Sequence, residues 1–184
     1  MLNKRNFLVA AAAALSITGA AAPHAEAASA ADIDRDSHSA LDKLTAEHPS
    51  AARLMHDAKA VLIFPNIVKA GFVFGGAYGE GELIENGQVQ GYYSTASASW
   101  GLQAGAQSYG YALFLMDDKA LQTVHDAHGW QVGAGPTVAV VNTGMEADLT
   151  TTQLTSDSYA YIFGQQGLMA GVTVQGSKVT RIQK

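Results

Sequence analysis

Apolar residues change their spacing near residue 60 of this 184-residue chain. Between Asp32 and His48 they recur at helical spacing among Asp, Arg and Lys, which predicts an amphipathic helix. Its apolar positions are Ile33, Ala40, Leu41 and Leu44. A second short helix should begin at Pro49, because proline suits the first helical position. We expect both helices to cover a sheet. The alternative is that one lies at a membrane interface, although its polar face lacks the Lys/Arg excess of interfacial helices.

Downstream of Lys59, short runs of Val, Ile, Phe and Tyr are punctuated by glycine, which is typical of antiparallel strands. Asn86-Gly87 predicts a tight hairpin, because both residues tolerate positive φ. Gly176-Ser177 plays a similar part in a predicted final hairpin, between residues 168–174 and 179–182. From Trp100 to Gln107 apolar residues alternate with small or polar ones. This pattern predicts a strand with one face open to a ligand or to another backbone.

One helix should interrupt the strands. Asp117 or Asp118 can cap it, an apolar stripe runs from Ala120 to Ala127, and Gly129 stops it. The polar residues 142–158 predict a long surface connection. The sequence therefore predicts an α+β fold: a curved antiparallel β-sheet or barrel-like sandwich with two N-terminal helices and one inserted helix.

The first 27 residues have the pattern of a secretory signal peptide. Lys4 and Arg5 precede an apolar core from Phe7 to Ile17, and small residues lead to Ala27, after which we place cleavage. The apolar core is too short to span a bilayer, which takes about 20 residues. We expect residues 28–184 to form a single domain that is exported and is periplasmic or peripheral to the cell envelope.

Composition narrows the possible chemistry. The chain has no cysteine, which excludes disulfides, thiolate catalysis and Cys-ligated zinc. Loss of residues 1–27 removes Lys4, Arg5 and Glu26 and changes the net charge from −5 to −6. An acidic chain with few Lys and Arg is a poor candidate for binding nucleic acid, and it needs a local basic patch to hold an anionic lipid surface.

Nucleotide and metal motifs are weak. The glycines of Gly75–Gly81 lack a following helix and the order of a phosphate-binding loop, so they indicate bulges or strand curvature. His125 and His128 lie three apart near a helix end, but the sequence offers no evident third ligand. We expect no enzymatic activity, no cofactor and no metal.

One carboxylate cluster keeps a catalytic alternative open. Glu80, Glu82 and Glu85 lie close together in sequence, and paired carboxylates catalyse glycoside hydrolysis, so a wall-active hydrolase is conceivable. The favoured interpretation is that these are solvated charges pointing outward from an edge hairpin.

Basic residues flank the first and last predicted strands. If these strands are neighbours, the side chains form one positive patch that can contact phosphate headgroups, at roughly 1 kcal/mol per residue near an anionic surface. Otherwise they are scattered and solvated. The basic residues are Lys59, Lys69, Lys178, Arg181 and Lys184. Candidate aromatic anchors for a membrane are Trp100, Tyr92, Tyr93 and Phe72, although aromatic residues in strands are also typical of a core.

Four blocks of the sequence resemble the SYLF domain. They are IFP with KAGFVFGG in residues 63–76, YYSTASASWGLQAGAQ in 92–107, ALQTVHDAHGW in 120–130 and GLMAGVTVQGSKVTRI in 167–182. The resemblance begins near Thr45 and continues to the C-terminus. The sequence is similar to the bacterial exported branch of this family, whose members consist of a signal peptide and this domain alone. Eukaryotic relatives are associated with phosphoinositides and with actin at membranes. The resemblance implies lipid binding without catalysis or a cofactor.

The resulting hypothesis is a non-enzymatic phospholipid-binding protein of the bacterial cell envelope that contacts anionic headgroups through a basic patch. From charge and position, the expected lipid-binding residues are Lys69, Lys178, Arg181 and Trp100. The expected partner is a phospholipid membrane, bound peripherally, with no nucleic acid. The alternative is a structural or protein-interaction module whose partner is another envelope protein.

Overall fold

One sheet of eight strands organises the part of the chain that the computed structural model describes: residues 28–71, 74–100, 105–141, 145, 149, 153–167 and 174–184. The helices are α1 (Ala30–Glu47), α2 (Pro49–Asp57) and α3 (Asp118–His125). The strands are β1 (Ala60–Gly71), β2 (Phe74–Glu85), β3 (Gln88–Trp100), β4 (Gly105–Leu115), β5 (His128–Gln131), β6 (Val138–Val141), β7 (Ser158–Gly167) and β8 (Lys178–Ile182).

The strand order across the sheet is β5-β8-β3-β2-β1-β4-β7-β6. Neighbouring strands are antiparallel except β6 and β7, which are parallel. The predicted α+β class is therefore confirmed, with one correction to the all-antiparallel sheet. A parallel pair requires a connection of about a dozen residues or more, and the polar residues 142–157 between β6 and β7 provide that length.

The sheet carries a hydrophobic core on each face. The face that we call the inner face packs Leu62, Tyr111 and Val179 together with Val124 of α3. Trp130 of β5 and Val138 of β6, which belong to opposite edges of the sheet, both pack against this same core, so the sheet curls around it. The other face, the outer face, is covered by α1 and α2. Its core includes Leu41, Leu44, Leu54, Val61, Ile63 and Phe114.

Local signals mark the ends of several elements. The Ser29 side chain accepts a hydrogen bond from the Asp32 backbone N–H at the start of α1, and Pro49 occupies the first turn of α2. Asp117 caps α3 by accepting from the Ala120 backbone N–H at 2.8 Å. The Asn86-Gly87 turn joins β2 to β3, with φ of 51° and 75°. The predictions for Pro49, Asp117 and Asn86-Gly87 are confirmed, whereas Gly129, predicted to stop the inserted helix, lies within β5, and α3 already ends at His125.

One strand prediction is wrong, and another falls partly on residues that the structure does not describe. A single strand from Trp100 to Gln107 is excluded, because β3 ends at Trp100 and β4, which begins at Gly105, runs in the opposite direction. The predicted final hairpin includes residues 168–173, which lie outside the described part of the chain, and β8 pairs with β3 and β5.

Helix length and hydropathy also bear on membrane contact. Among the helices of the described residues, none combines the length and the apolar character that crossing a bilayer requires.

Candidate functional site

An exposed apolar surface lies at one end of the outer face. Val68, Phe74 and Tyr78 are 51%, 70% and 52% exposed, and they are the exposed large hydrophobic residues of the described chain. Val68 of β1 pairs directly with Tyr78 of β2, and Phe74 lies four residues before Tyr78 on the same strand and the same face. The three side chains therefore share one surface.

Small residues extend this surface across the neighbouring strands. Ala96 pairs with Tyr78, Ala98 pairs with Gly76, and all of these positions are exposed. We call the set the outer apolar patch. It consists of Val68, Ala70, Phe74, Tyr78, Ala96 and Ala98. A contiguous apolar surface of this kind is typical of a site that binds a protein or a membrane.

The patch is uncovered because the helices reach only half of the outer face. The core beneath α1 and α2 includes Val61 and Ile63 of β1, whereas Val68 lies further along the same strand. The start of α1 marks the boundary. There Lys184 donates to the Ala28 carbonyl at 2.8 Å and pairs with Glu80 at 2.7 Å. Glu80 lies two residues after Tyr78 on β2, on the same face.

The structure separates the basic residues that the sequence grouped. β1 lies between β2 and β4, whereas β8 lies between β3 and β5, so the first and last strands are not neighbours. Lys69 is on the inner face, two residues from the buried Ile67. Lys178 pairs with Ala96 on the outer face, and its side chain passes over Gly129 of β5. Arg181 pairs with Tyr93 and donates to the Gln90 carbonyl at 3.1 Å.

Two of the five basic residues are paired with carboxylates. Lys59 is neutralised by Asp118 at 2.6 Å, and Lys184 by Glu80. Within the described part of the chain, Lys69, Lys178 and Arg181 have no carboxylate within 4.0 Å. These three are the cations available to an anionic ligand, although they occupy separate positions instead of one patch.

The proposed aromatic anchors also separate. Trp100 ends β3 opposite Phe74, in register with the outer apolar patch, but its side chain lies outside the described residues, as does Phe72. Tyr93 is completely buried. Tyr92 donates from its hydroxyl to Asp34 Oδ1 at 2.9 Å, which ties β3 to α1. Tyr92 and Tyr93 are therefore structural residues. The sequence analysis did not propose Val68, Phe74 and Tyr78 as anchors. Alternating residues of a strand share one face, so apolar residues two or four positions apart in β1 and β2 would have indicated this surface.

The carboxylate cluster is not an outward row on an edge hairpin. β2 is a central strand, and Glu82 is completely buried beneath α1. Burial, and then the neighbouring carboxylate of Asp34, raise the pKa of Glu82 to about 8. Glu80 is held by Lys184 and by the Tyr78 hydroxyl. Glu85 projects from the opposite face toward His125 Nε2, 3.7 Å away.

The paired histidines are also held apart. His125 faces Glu85, whereas His128 Nδ1 lies 2.9 Å from the Asp126 carbonyl oxygen. Over the ranges that the structure describes, no group of three or more His, Asp and Glu residues could hold a metal ion. A groove of about 580 Å³ between α3 and β5 is lined by a base and an acid, Lys119 and Asp126, so its charge favours no single class of ligand.

Fold and site together define an α+β protein with an exposed apolar surface at one end of its sheet. Residues 96–184 match the sequence model of the Ysc84 family, described as Las17-binding protein actin regulator. This match over residues 96–184 confirms the predicted resemblance to the SYLF domain, a family known for binding lipids and actin regulators. No curated protein matches the chain.

Proposed function

We propose that this chain is a non-enzymatic lipid-binding protein of the bacterial cell envelope, which contacts a phospholipid membrane through the outer apolar patch. The observation that carries the proposal is the grouping of Val68, Phe74 and Tyr78 on one uncovered surface. The match of residues 96–184 to the Ysc84 family model supports lipid as the ligand, because that family is known for lipid binding.

The chemistry of the patch suits the boundary between headgroups and acyl chains. Burying exposed apolar area contributes about 25 cal/mol per Å². The Tyr78 hydroxyl can stay hydrated while its ring is buried, which is the usual arrangement of aromatic residues at membrane interfaces. Lys178, beside Ala96 at the rim, adds attraction to anionic headgroups.

Co-sedimentation of residues 28–184 with vesicles tests the proposal. We expect binding to phosphatidylcholine vesicles that is weak and insensitive to salt, because the patch is apolar. Anionic phospholipid should increase binding, and physiological salt should reduce only that increment, since salt screens exposed charges beyond about 8 Å. Absence of binding to every vesicle would contradict the proposal and favour an envelope protein as the partner.

A further inference from the structure

A carboxyl group is buried between α1 and the sheet. Glu82 of β2 lies on the outer face, directly opposite Ile63 of β1 and Tyr92 of β3, and it is completely buried. Among the described residues, neither of its oxygens has a hydrogen-bond partner. Asp34 of α1 lies beside it, near enough for the two carboxyl groups to interact. The helix therefore holds one carboxyl group over another.

Few charged groups of the described chain face this carboxyl. Tyr92 donates from its hydroxyl to Asp34 Oδ1 at 2.9 Å. Burial, and then this hydrogen bond, raise the pKa of Tyr92, so it remains a donor near neutral pH. The paired residue of β1 is apolar, and Glu80, two positions away on β2, is already paired with Lys184 at 2.7 Å. No described cation lies within 4.0 Å of Asp34 or Glu82, so an ionised Glu82 would face Asp34 without compensation.

Polar groups beneath the first half of α1 are incompletely satisfied. Ser37, three residues after Asp34, is completely buried, and its Oγ has no hydrogen-bond partner among the described residues. Buried polar atoms that lack a partner destabilise the state that buries them. The second half of α1 differs, because Leu41 and Leu44 pack into the core of the outer face. Docking of the first half is therefore sensitive to a change in its polar contacts.

Ionisation of Glu82 changes this contact from an acid beside a carboxylate to two carboxylates. We propose that the neutral carboxyl group of Glu82 latches α1 onto the sheet, and that loss of its proton to solvent releases the helix from the outer face. Two adjacent anions repel each other strongly in a buried site that excludes water. In the released state both carboxylates are hydrated, and the Tyr92 hydroxyl no longer bonds to Asp34.

Release of α1 enlarges the exposed apolar surface. Ile63 of β1 and Ile84 of β2 belong to the core beneath α1 and α2, on the same face and the same strands as Val68 and Tyr78. Uncovering them extends the outer apolar patch along these two strands. We therefore expect the latch to strengthen membrane contact when it opens. This regulation rests on the proposed function, whereas the latch itself does not.

The pH dependence of release has a definite direction. Burial, and then the neighbouring carboxylate of Asp34, raise the pKa of Glu82 from 4.5 to about 8 while α1 is docked. Release exposes the carboxyl group and returns its pKa toward the ordinary value. Between these two values the docked state keeps a proton that the released state has lost. The equilibrium constant for release should therefore increase about tenfold per pH unit in this window and become constant above it.

Hydrogen exchange of the amides in residues 30–47 measures this release without lipid. The chemical step is first order in hydroxide. When reclosing is faster than that step, log rate plotted against pH has a slope of about 1 for a fixed opening and about 2 for an opening that also releases one proton. We expect a slope of about 2 for wild-type α1 between about pH 5.5 and about pH 7.5.

Two glutamine variants on the same strand separate the latch from a general loss of charge. Glu82→Gln cannot titrate, and it should reduce the slope in α1 to about 1. Glu85→Gln is the matched control, because Glu85 projects from the opposite face toward His125, and this variant should keep the wild-type slope. Glu82→Met serves as a second variant without a titrating group if Glu82→Gln does not fold.

The central strand β4 distinguishes release of one helix from unfolding of the whole chain. Its amides are expected to exchange more slowly than those of α1, because β4 is paired on both sides and largely buried. A wild-type slope of about 1 in α1 would overturn the latch. A common exchange rate for α1 and β4 would overturn it as well, because Glu82 would then respond only to global unfolding.

Vesicles of phosphatidylcholine test the regulation, because this headgroup keeps its charge over the same pH range. Wild-type residues 28–184 should bind about twofold more tightly, or better, at about pH 7.5 than at about pH 5.5, whereas Glu82→Gln should bind equally at both. Equal binding of the wild type would overturn the regulation of the outer apolar patch. Binding to no vesicle would overturn the proposed function, and the exchange slopes decide the latch separately.

Discussion

Glu82 shows what one buried carboxyl does to this fold. It lies in the centre of the sheet, and among the described residues neither of its oxygens has a hydrogen-bond partner. Its pKa rises from 4.5 to about 8, through burial and then through Asp34. Between these two values the folded chain binds one more proton than the unfolded chain, so the free energy of unfolding falls as the pH rises. This stabilisation is complete below the unfolded pKa and is lost as the pH passes about 8.

Glu82→Gln should remove that pH dependence, because glutamine keeps the shape of the protonated acid and does not titrate. From about pH 5.5 to about pH 9, we expect the wild type to lose several kcal/mol more stability than the variant, at about 1.4 kcal/mol per pKa unit. Denaturant unfolding at both pH values measures the difference. Parallel pH profiles for the two proteins would show that Glu82 is not the responsible group.

A second residue-scale prediction concerns backbone packing at Gly81. A Cβ at this position would overlap the Ile63 carbonyl oxygen, next to the bulge between β1 and β2. Gly81→Ala should therefore destabilise the fold by about 1–3 kcal/mol or more, as overpacked sites do. Gly76→Ala is the matched control on the same strand, because the nearest atom, Ser97 O, is 3.7 Å from the added Cβ. Equal unfolding midpoints for the two variants would contradict this reading of the contact.

At the scale of elements, α1 is joined to the sheet by a polar contact as well as by its apolar stripe. Tyr92→Phe removes the hydroxyl that donates to Asp34. We expect a loss of about 1 kcal/mol in the local stability of α1, which corresponds to about fivefold faster amide exchange. Hydrogen exchange followed by mass spectrometry on residues 30–47 measures the change, with α3 as the internal reference. Unchanged exchange in α1 would mean that the Tyr92 hydroxyl does not hold the helix.

Element identity followed from local signals, whereas pairing and site assembly did not. Proline at the start of α2, the Asp117 cap and the Asn86-Gly87 turn act within a few residues, so the sequence alone predicts them. The separation of Lys69 from Lys178 depends on the strand order, which no local pattern encodes. The burial of Glu82 was missed for the same reason, because it requires knowing that α1 packs across β2.

At the scale of the whole molecule, the two faces of one sheet end differ in their chemistry. The outer face presents Val68, Phe74 and Tyr78, while the inner face places Lys69 beside Gln107. Helices cover the outer face at the opposite end of β1, so the exposed large apolar side chains of the described residues lie at this end. The acidic net charge of −5 makes a local contact surface necessary, because the chain as a whole is repelled by anionic lipid.

Vesicle co-sedimentation with variants of the outer apolar patch tests this account. Phe74→Ser and Tyr78→Ser should each reduce binding to phosphatidylcholine vesicles by about tenfold, since burial of a large side chain contributes about 1.5 kcal/mol or more. Phe74→Leu, which stays apolar, should retain most of the binding. Undiminished binding of both serine variants, with normal unfolding midpoints, would show that the membrane does not contact the outer apolar patch.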